Sequence, residues 1–288
     1  MTRWCFLAKV RQLAAFTWQS MWDHSLPTRA ASVAFNSMFA AVPLLMLASY
    51  IAGHLLPDLS GHGQPGIGNL TADQLHAALR AFFPEMIYNV VAEVLLNMQA
   101  HVPGTIVSAT LVVALWTSSS AFVDIIDALN RIYGVEETRS VIKLRLTAIA
   151  MSLIQAVIVF VCMTIVLMSP HFLEWLHLRS DHALMITALE WLLLYLMLML
   201  SYHLTFRVGP SSAQSRLWLT PGAMFGATIF LAASWLFRFY IQDIAHYAAW
   251  YGPLAGVMAL MFWFYIISWV LLAAAQINRL VAIAASKE

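Results

Sequence analysis

The sequence predicts an all-α, polytopic membrane protein folded as a six-transmembrane-helix bundle, and three observations carry that prediction. Of its 288 residues 61% are hydrophobic and only 10% charged, and the mean hydropathy is +0.77, a balance outside the range of soluble domains. The few charges leave charge-free runs at Ala30 to Pro57, Val102 to Val123, Leu146 to Leu173, Leu217 to Phe237 and Ile244 to Asn278, and a sixth run, His182 to Phe206, is broken only by Glu190. Each suffices for a bilayer, which a helix of about 20 mostly apolar residues crosses. Finally, Lys and Arg are segregated: all except Arg80, Arg179 and Arg238 fall before the first run, between the second and third, between the fourth and fifth, or at the carboxy terminus. Connections rich in Lys and Arg stay in the cytoplasm, so both termini are expected there.

Taken in order, residues 3–24 mix Trp4, Trp18 and Trp22 with Arg3, Lys9 and Arg11, a pattern that suits an amino-terminal helix lying in the headgroup layer. Lys9 and Arg11 cut the apolar stretch, so this segment reads as retained rather than as a cleaved signal. The first span covers 30–56. Residues 57–102 follow as a periplasmic segment: repeated Gly and Pro from Pro57 to Gly66 forbid regular structure. Leu75, Leu79, Phe82 and Phe83, then Ile87, Val90, Val91, Val94, Leu95 and Met98, space out two amphipathic helices. Arg80, Glu85 and Glu93 keep them from spanning, so they form a small helical cap. The remaining spans are expected at 103–124, 146–170, 183–206, 217–240 and 253–279, all within one membrane domain, 1–288.

Ionisable residues inside spans are costly, which makes them the first candidates for function. Asp124, Asp127 and Arg131 are spaced to share one helix face at the end of the second span, with Asn130 beside them. They form either a polar mouth that binds a headgroup or ion, or a solvated helix end on which Asp127 and Arg131 pair. Arg139, Lys143 and Arg145 follow in the same connection and suit anionic headgroups. Glu190 lies inside the fourth span and Arg238 inside the fifth at depths that an arginine can bridge, so the two are expected to pair. Gly222 and Gly226, and Gly252 and Gly256, carry the four-residue spacing that lets helices approach closely. That spacing reads first as packing inside the bundle and second as a seam of a homo-oligomer.

Other chemistries find little footing. No His-x-x-x-His pair occurs among the ten histidines, and the single Glu-x-x-His, Glu174 to His177, would need a ligand from another loop, so no metal is expected. The cysteines Cys5 and Cys162 supply no disulfide framework. A net charge of +1 without a basic cluster implies no nucleic acid. Nucleophile elbow, P-loop and HExxH motifs are absent from the sequence, so neither an enzyme nor a cofactor is expected. Membrane lipids are the expected partners.

Several stretches resemble the YihY/virulence factor BrkB family of bacterial inner-membrane proteins: Arg29 to Phe35 running to Pro43-Leu44-Leu45, Trp116 through Asp127 to Tyr133 with Arg139, Pro221-Gly222-Ala223, and Tyr247 to Asn278 with its Tyr251-Gly252-Pro253-Leu254-Ala255-Gly256. The similarity covers nearly the whole chain except the segment between spans one and two. Where the family pattern leads one to expect Gly-Ala-Glu before the final Asn, this chain has Ala274-Ala275-Gln276, an amide in place of an acid. The resemblance implies a six-helix protein of the inner membrane, linked in the family to serum resistance and envelope maintenance. Some members once carried the label ribonuclease BN, yet no carboxylate cluster for two metals can be assembled here. The residues point instead to translocation or gating of an amphipathic envelope component such as a lipid. The alternatives are a scaffold that recruits partners through its periplasmic cap and a membrane-embedded hydrolase.

Overall fold

The computed structural model describes residues 25–55, 80, 88, 104–175, 183–211, 220–241 and 254–285. The expected interfacial helix, nearly all of the cap, and Gly252 lie outside them. Within the cap segment, Arg80 sets its guanidinium 4.8 Å over the ring of Tyr88. The described residues form six helices and no strand: α1 Leu26–Leu55, α2 Gly104–Tyr133, α3 Val141–Trp175, α4 Ala183–Val208, α5 Pro221–Phe239 and α6 Leu254–Ala285. Five stretches, Val112–Tyr133, Val141–Cys162, Thr187–Val208, Pro221–Phe239 and Leu254–Ile283, are long and apolar enough to cross a membrane.

Local chemistry sets the helix ends. Pro27 and Pro221 stand in first turns, where the missing N–H costs nothing. α2 stops at Gly134, whose φ of 68° an L side chain rarely adopts. There the Gly134 N–H donates to Arg131 O at 3.1 Å and the Val135 N–H to Asn130 O at 2.9 Å, the paired bonds of a Schellman cap. α2 thus runs on past the end expected at 124. Asp124 lies about 13 Å short of its last residue at 1.5 Å per residue.

Each helix packs on its neighbours in sequence, α6 returns to α1, and α6 also touches α2. The helices alternate in direction, so one end of the bundle gathers the start of α1, the end of α2, the starts of α3 and α5 and the ends of α4 and α6. Alanines make this possible: Ala30, Ala128, Ala223, Ala273, Ala274 and Ala275 are buried beside Leu26, Leu129, Ile132, Phe206 and Leu272 in one cluster, and small side chains let backbones approach where lipid supplies no hydrophobic driving force. The outside is apolar instead: α3 turns Val141, Ile142, Leu146, Leu153, Val157 and Phe160 outward while Ala148 and Met151 are buried. Exposed apolar patches of that extent are foreign to a soluble monomer and suit lipid.

Candidate functional site

The polar residues of the gathered end divide into three clusters. The first lies between α1 and α2. Asp124 Oδ2 accepts hydrogen bonds from Ser32 Oγ at 2.7 Å and Asn36 Nδ2 at 2.6 Å. Its carboxylate is half-buried, and among the described residues no ion pair reaches it. One turn on, Asp127 is bound by Arg29 of α1 and lies 3.7 Å from Arg131 on its own helix. Two carboxylates on one face of α2 therefore differ: Asp127, more than half exposed, has two guanidinium partners, whereas Asp124 deeper in the seam has neutral donors.

The second cluster is a clasp. Glu137, in the connection between α2 and α3, takes the Arg139 guanidinium in a fork, Nε to Oε1 and Nη2 to Oε2, both at 2.8 Å. Arg139 Nη2 also donates to Gly209 O at 2.7 Å, which ties the connection to the end of α4. Buried Asn130 completes the arrangement by donating to Glu137 Oε2 at 2.7 Å and accepting from the Ser211 N–H at 2.9 Å. The Arg139 side-chain hydrogen bonds hold the Glu137 carboxyl down at about 2, with smaller help from the Arg139 N–H and from Asn130 against a partial burial that pushes the other way. Asn130 and Arg139 are thus spent on joining helices, and little donor capacity is left for a ligand.

The third cluster joins α3 to α2, farther from the gathered end along α2 than Asp124. Arg145 lays its guanidinium 3.9 Å over the Trp116 ring and donates through Nη2 to Trp116 O at 3.2 Å and Ser120 Oγ at 3.1 Å. Lys143 is exposed on the other flank of α3.

The remaining candidates lie apart. Glu190 is half-buried on α4 and Arg238 is exposed on α5, and among the described residues no ion pair joins them. Depth along two helices did not specify rotation about them. Gly222 and Gly226 stand where α5 meets α6 and α4: a Cβ at Gly222 would lie 2.3 Å from Ala274 O, and one at Gly226 would lie 2.7 Å from the Tyr202 ring. The Gly222 N–H is held by Asn278 Oδ1 at 2.6 Å. Gly256 is buried at the start of α6.

Sequence reasoning gave no role to Asn36 or Glu137, met Arg29 and Ser32 in orientation and in the resembling stretch only, and read Ser120 as the end of an unusually polar run from Trp116. Each acquires its role through a partner across a loop or helix pair. Ser32 and Asn36 carried one usable signal, two polar residues one turn apart on an apolar helix. A bond from Gln155 on α3 to Ser201 on α4 belongs to the same class. Among the described residues no group of three or more His, Cys, Asp or Glu stands close enough to hold a metal.

Comparison with known proteins places the whole of this region within one match. The family model described as Virulence factor BrkB matches residues 17–288. The chain is 25% identical over 264 residues to the putative ribonuclease-like protein YfkH of Bacillus subtilis (strain 168), covering 89% of this chain and 90% of that protein. It is 26% identical over 275 residues to a UPF0761 membrane protein of Tolumonas auensis, covering 92% of this chain and 83% of that one. No solved structure matches the chain.

Proposed function

Because this chain belongs to the virulence factor BrkB family, a family of membrane proteins, we propose that it crosses the inner membrane six times and moves, or gates the entry of, an amphipathic envelope component along the α1–α2 seam. Both termini then lie in the cytoplasm, and the gathered end of the bundle faces the cytoplasmic leaflet. The observation that carries this reading is Asp124, a half-buried carboxylate held by Ser32 and Asn36 with no cation against it among the described residues. An ionisable group left without a counter-charge inside a span is expensive and marks a path for polar cargo.

The seam has the energetics of a gate. A headgroup crossing hydrocarbon must exchange water for fixed polar groups or bear a desolvation cost of several kcal/mol, and Ser32, Asn36 and Asp124 offer such groups in sequence between two helices. The way in from the end of the bundle is crossed by Arg29 and Asp127. Asp127 is 57% exposed and Arg29 only 19%, so opening this closure means drawing a largely covered guanidinium off a carboxylate that keeps its contact with Arg131. Asp124 then meets the ammonium or hydroxyl groups of a headgroup as hydrogen-bond acceptor.

The ribonuclease-like wording in the name of the Bacillus relative finds no support in these residues. Asp127 is occupied by Arg29 and Arg131, and Asp124 faces Ser32 and Asn36, whereas nuclease chemistry of the two-metal kind needs carboxylates converging on shared ions.

The test is movement of fluorescent phospholipid between leaflets of proteoliposomes, read as the fraction of label that an external quencher reaches. Wild-type protein is expected to speed exchange over protein-free vesicles, and Asp124→Asn to slow it with the folded protein retained. A wild-type rate equal to that of empty vesicles refutes the proposal.

A further inference from the structure

The α1–α2 seam has a polarity of its own. At its mouth Arg29 and Arg131 converge on Asp127, two cations about one anion. One turn deeper Asp124 meets neutral donors and, among the described residues, no cation. Charge along the seam therefore runs from positive at the mouth to negative inside. A headgroup with a single negative charge gains at the mouth and is repelled at Asp124, whereas one that carries a cation ahead of an anion is matched at both levels.

The hydrogen-bonding capacity left over by the fold stands at the same two levels. Ser32 Oγ and Asn36 Nδ2 both donate to Asp124 Oδ2, which leaves Oδ1 without a partner among the described residues. Arg131 approaches Asp127 through Nε, at 3.7 Å, and its two Nη groups meet no partner among the described residues. Its side chain is 63% exposed and belongs to the last turn of α2. Asp124 and Asp127 are three residues apart, about 4.5 Å of helix axis, a separation that two carbons between an ammonium and a phosphate can bridge. The lipid side of the seam is aromatic. Phe35 and Phe39 follow Ser32 and Asn36 by three residues each and share their flank of α1. The two rings are 51% and 55% exposed with centroids 4.7 Å apart, and they lead away from the gathered end, as acyl chains do below a headgroup.

Resting on the seam reading above, we propose that the headgroup admitted there is that of an aminophospholipid, with its primary ammonium donating to Asp124 Oδ1, its phosphate on the Nη groups of Arg131 and its acyl chains outside along Phe35 and Phe39. A guanidinium engages phosphate through parallel N–H bonds, and Arg131 can do so without leaving Asp127. Oδ1 requires a hydrogen-bond donor, which a primary ammonium supplies and a quaternary one lacks. The hydroxyls of an anionic headgroup can donate as well, but they leave the charge of Asp124 unbalanced.

The test offers full-length protein in neutral detergent equal amounts of phosphatidylethanolamine, phosphatidylcholine and phosphatidylglycerol and counts retained lipid by native mass spectrometry, with water-soluble phosphoethanolamine as a parallel competitor. Phosphatidylethanolamine is expected to be retained above both others. Asp124→Asn is expected to lower its retention about tenfold and to erase its advantage over phosphatidylcholine. Arg131→Gln is expected to lower retention of both about fivefold, and Arg207→Gln, which removes an exposed cation at the end of α4, to leave it near wild type. Equal retention of the three lipids, wild-type retention by Asp124→Asn, a loss in Arg207→Gln as large as in Arg131→Gln, or displacement by equimolar phosphoethanolamine would each overturn the proposal. The comparison of lipids uses wild-type protein, so it decides even where Asp124→Asn does not fold. Selective retention without flux in proteoliposomes refutes translocation and supports the headgroup assignment, whereas equal flux of all three lipids refutes the assignment and leaves translocation standing.

Discussion

Gly222→Ala is the substitution whose cost can be worked most directly from the packing of α5 on α6. The added Cβ would stand 2.3 Å from Ala274 O and 2.6 Å from Asn278 Cγ and Oδ1, where ordinary contact begins at 3.4 Å. The nearest obstacle is backbone, so no rotamer change relieves it and the helices must part by about 1 Å. Overpacking of that kind costs about 1–3 kcal/mol. Parting the helices also stretches the bond from the Gly222 N–H to Asn278 Oδ1, which is buried at 2.6 Å, and leaving a buried donor unsatisfied adds about 1–3 kcal/mol. The sum, about 2–6 kcal/mol, lowers the thermal midpoint by at least about 4 °C.

Gly226→Ala supplies the internal comparison. Its Cβ meets Tyr202 ring carbons at 2.7 and 2.8 Å and Ala274 Cβ at 2.9 Å, all side-chain atoms, and no hydrogen bond is at stake. The expected loss is smaller, and a second substitution, Ala274→Gly, should recover part of it by removing one of the three contacts. The same second substitution should not rescue Gly222→Ala, because there the obstacle is the Ala274 carbonyl. Heating purified protein in detergent and following the folded fraction by size exclusion decides the matter. A Gly222→Ala midpoint within about 1 °C of wild type, or rescue of it by Ala274→Gly, would refute the reasoning.

Two further outcomes are expected. The Glu137 carboxyl sits at about 2, below its ordinary value of 4.5, so its contribution to stability is present above pH 4.5 and is lost as the pH falls towards 2. A Glu137→Gln variant should start less stable at neutral pH and lose less across that acid window, which paired thermal midpoints will show. Arg29→Ala removes the cross-seam partner of Asp127 and a side chain that is only 19% exposed; it is expected to lower the thermal midpoint and to raise labelled-lipid exchange in proteoliposomes, and unchanged exchange would count against a gate at that position.

How much of this was legible in the sequence follows from what lipid does to a pattern. The apolar runs stand out because a helix in a bilayer is apolar on nearly every face, and among the described residues five helices are long and apolar enough to cross one. The same uniformity erases the rotational signal: with no polar face to mark the outside, nothing in the chain says which side of α4 meets α5. Glu190 and Arg238 were matched by depth and do not meet in an ion pair among the described residues. Asp124, Asp127 and Arg131 could be read as one face because their relation lies within one helix, and the i, i+4 contact of Asp127 with Arg131 is present at 3.7 Å. Their partners Arg29, Ser32 and Asn36 come from a helix some 90 residues earlier, and no local rule reaches that far.

The cations of the gathered end show why a charge count and a contact list answer different questions. Orientation depends on how many Lys and Arg sit near a span end, and it is indifferent to what each one touches. Function depends on the donors left over after folding. Arg139 forks onto Glu137 and reaches Gly209 O, so it serves the bundle. Arg29 meets Asp127 beside an exposed seam, so it is positioned to open. Arg145 stacks on the Trp116 ring and donates to Trp116 O and Ser120 Oγ, so it braces α3 on α2. Exchanging Arg for Lys at these three positions preserves the charge that sets topology while removing the fork in one, a releasable pair in another and the stacked plane in the third. Three such variants with native topology but distinct losses, in stability for Arg139→Lys and Arg145→Lys and in control of exchange for Arg29→Lys, are what this division of labour requires.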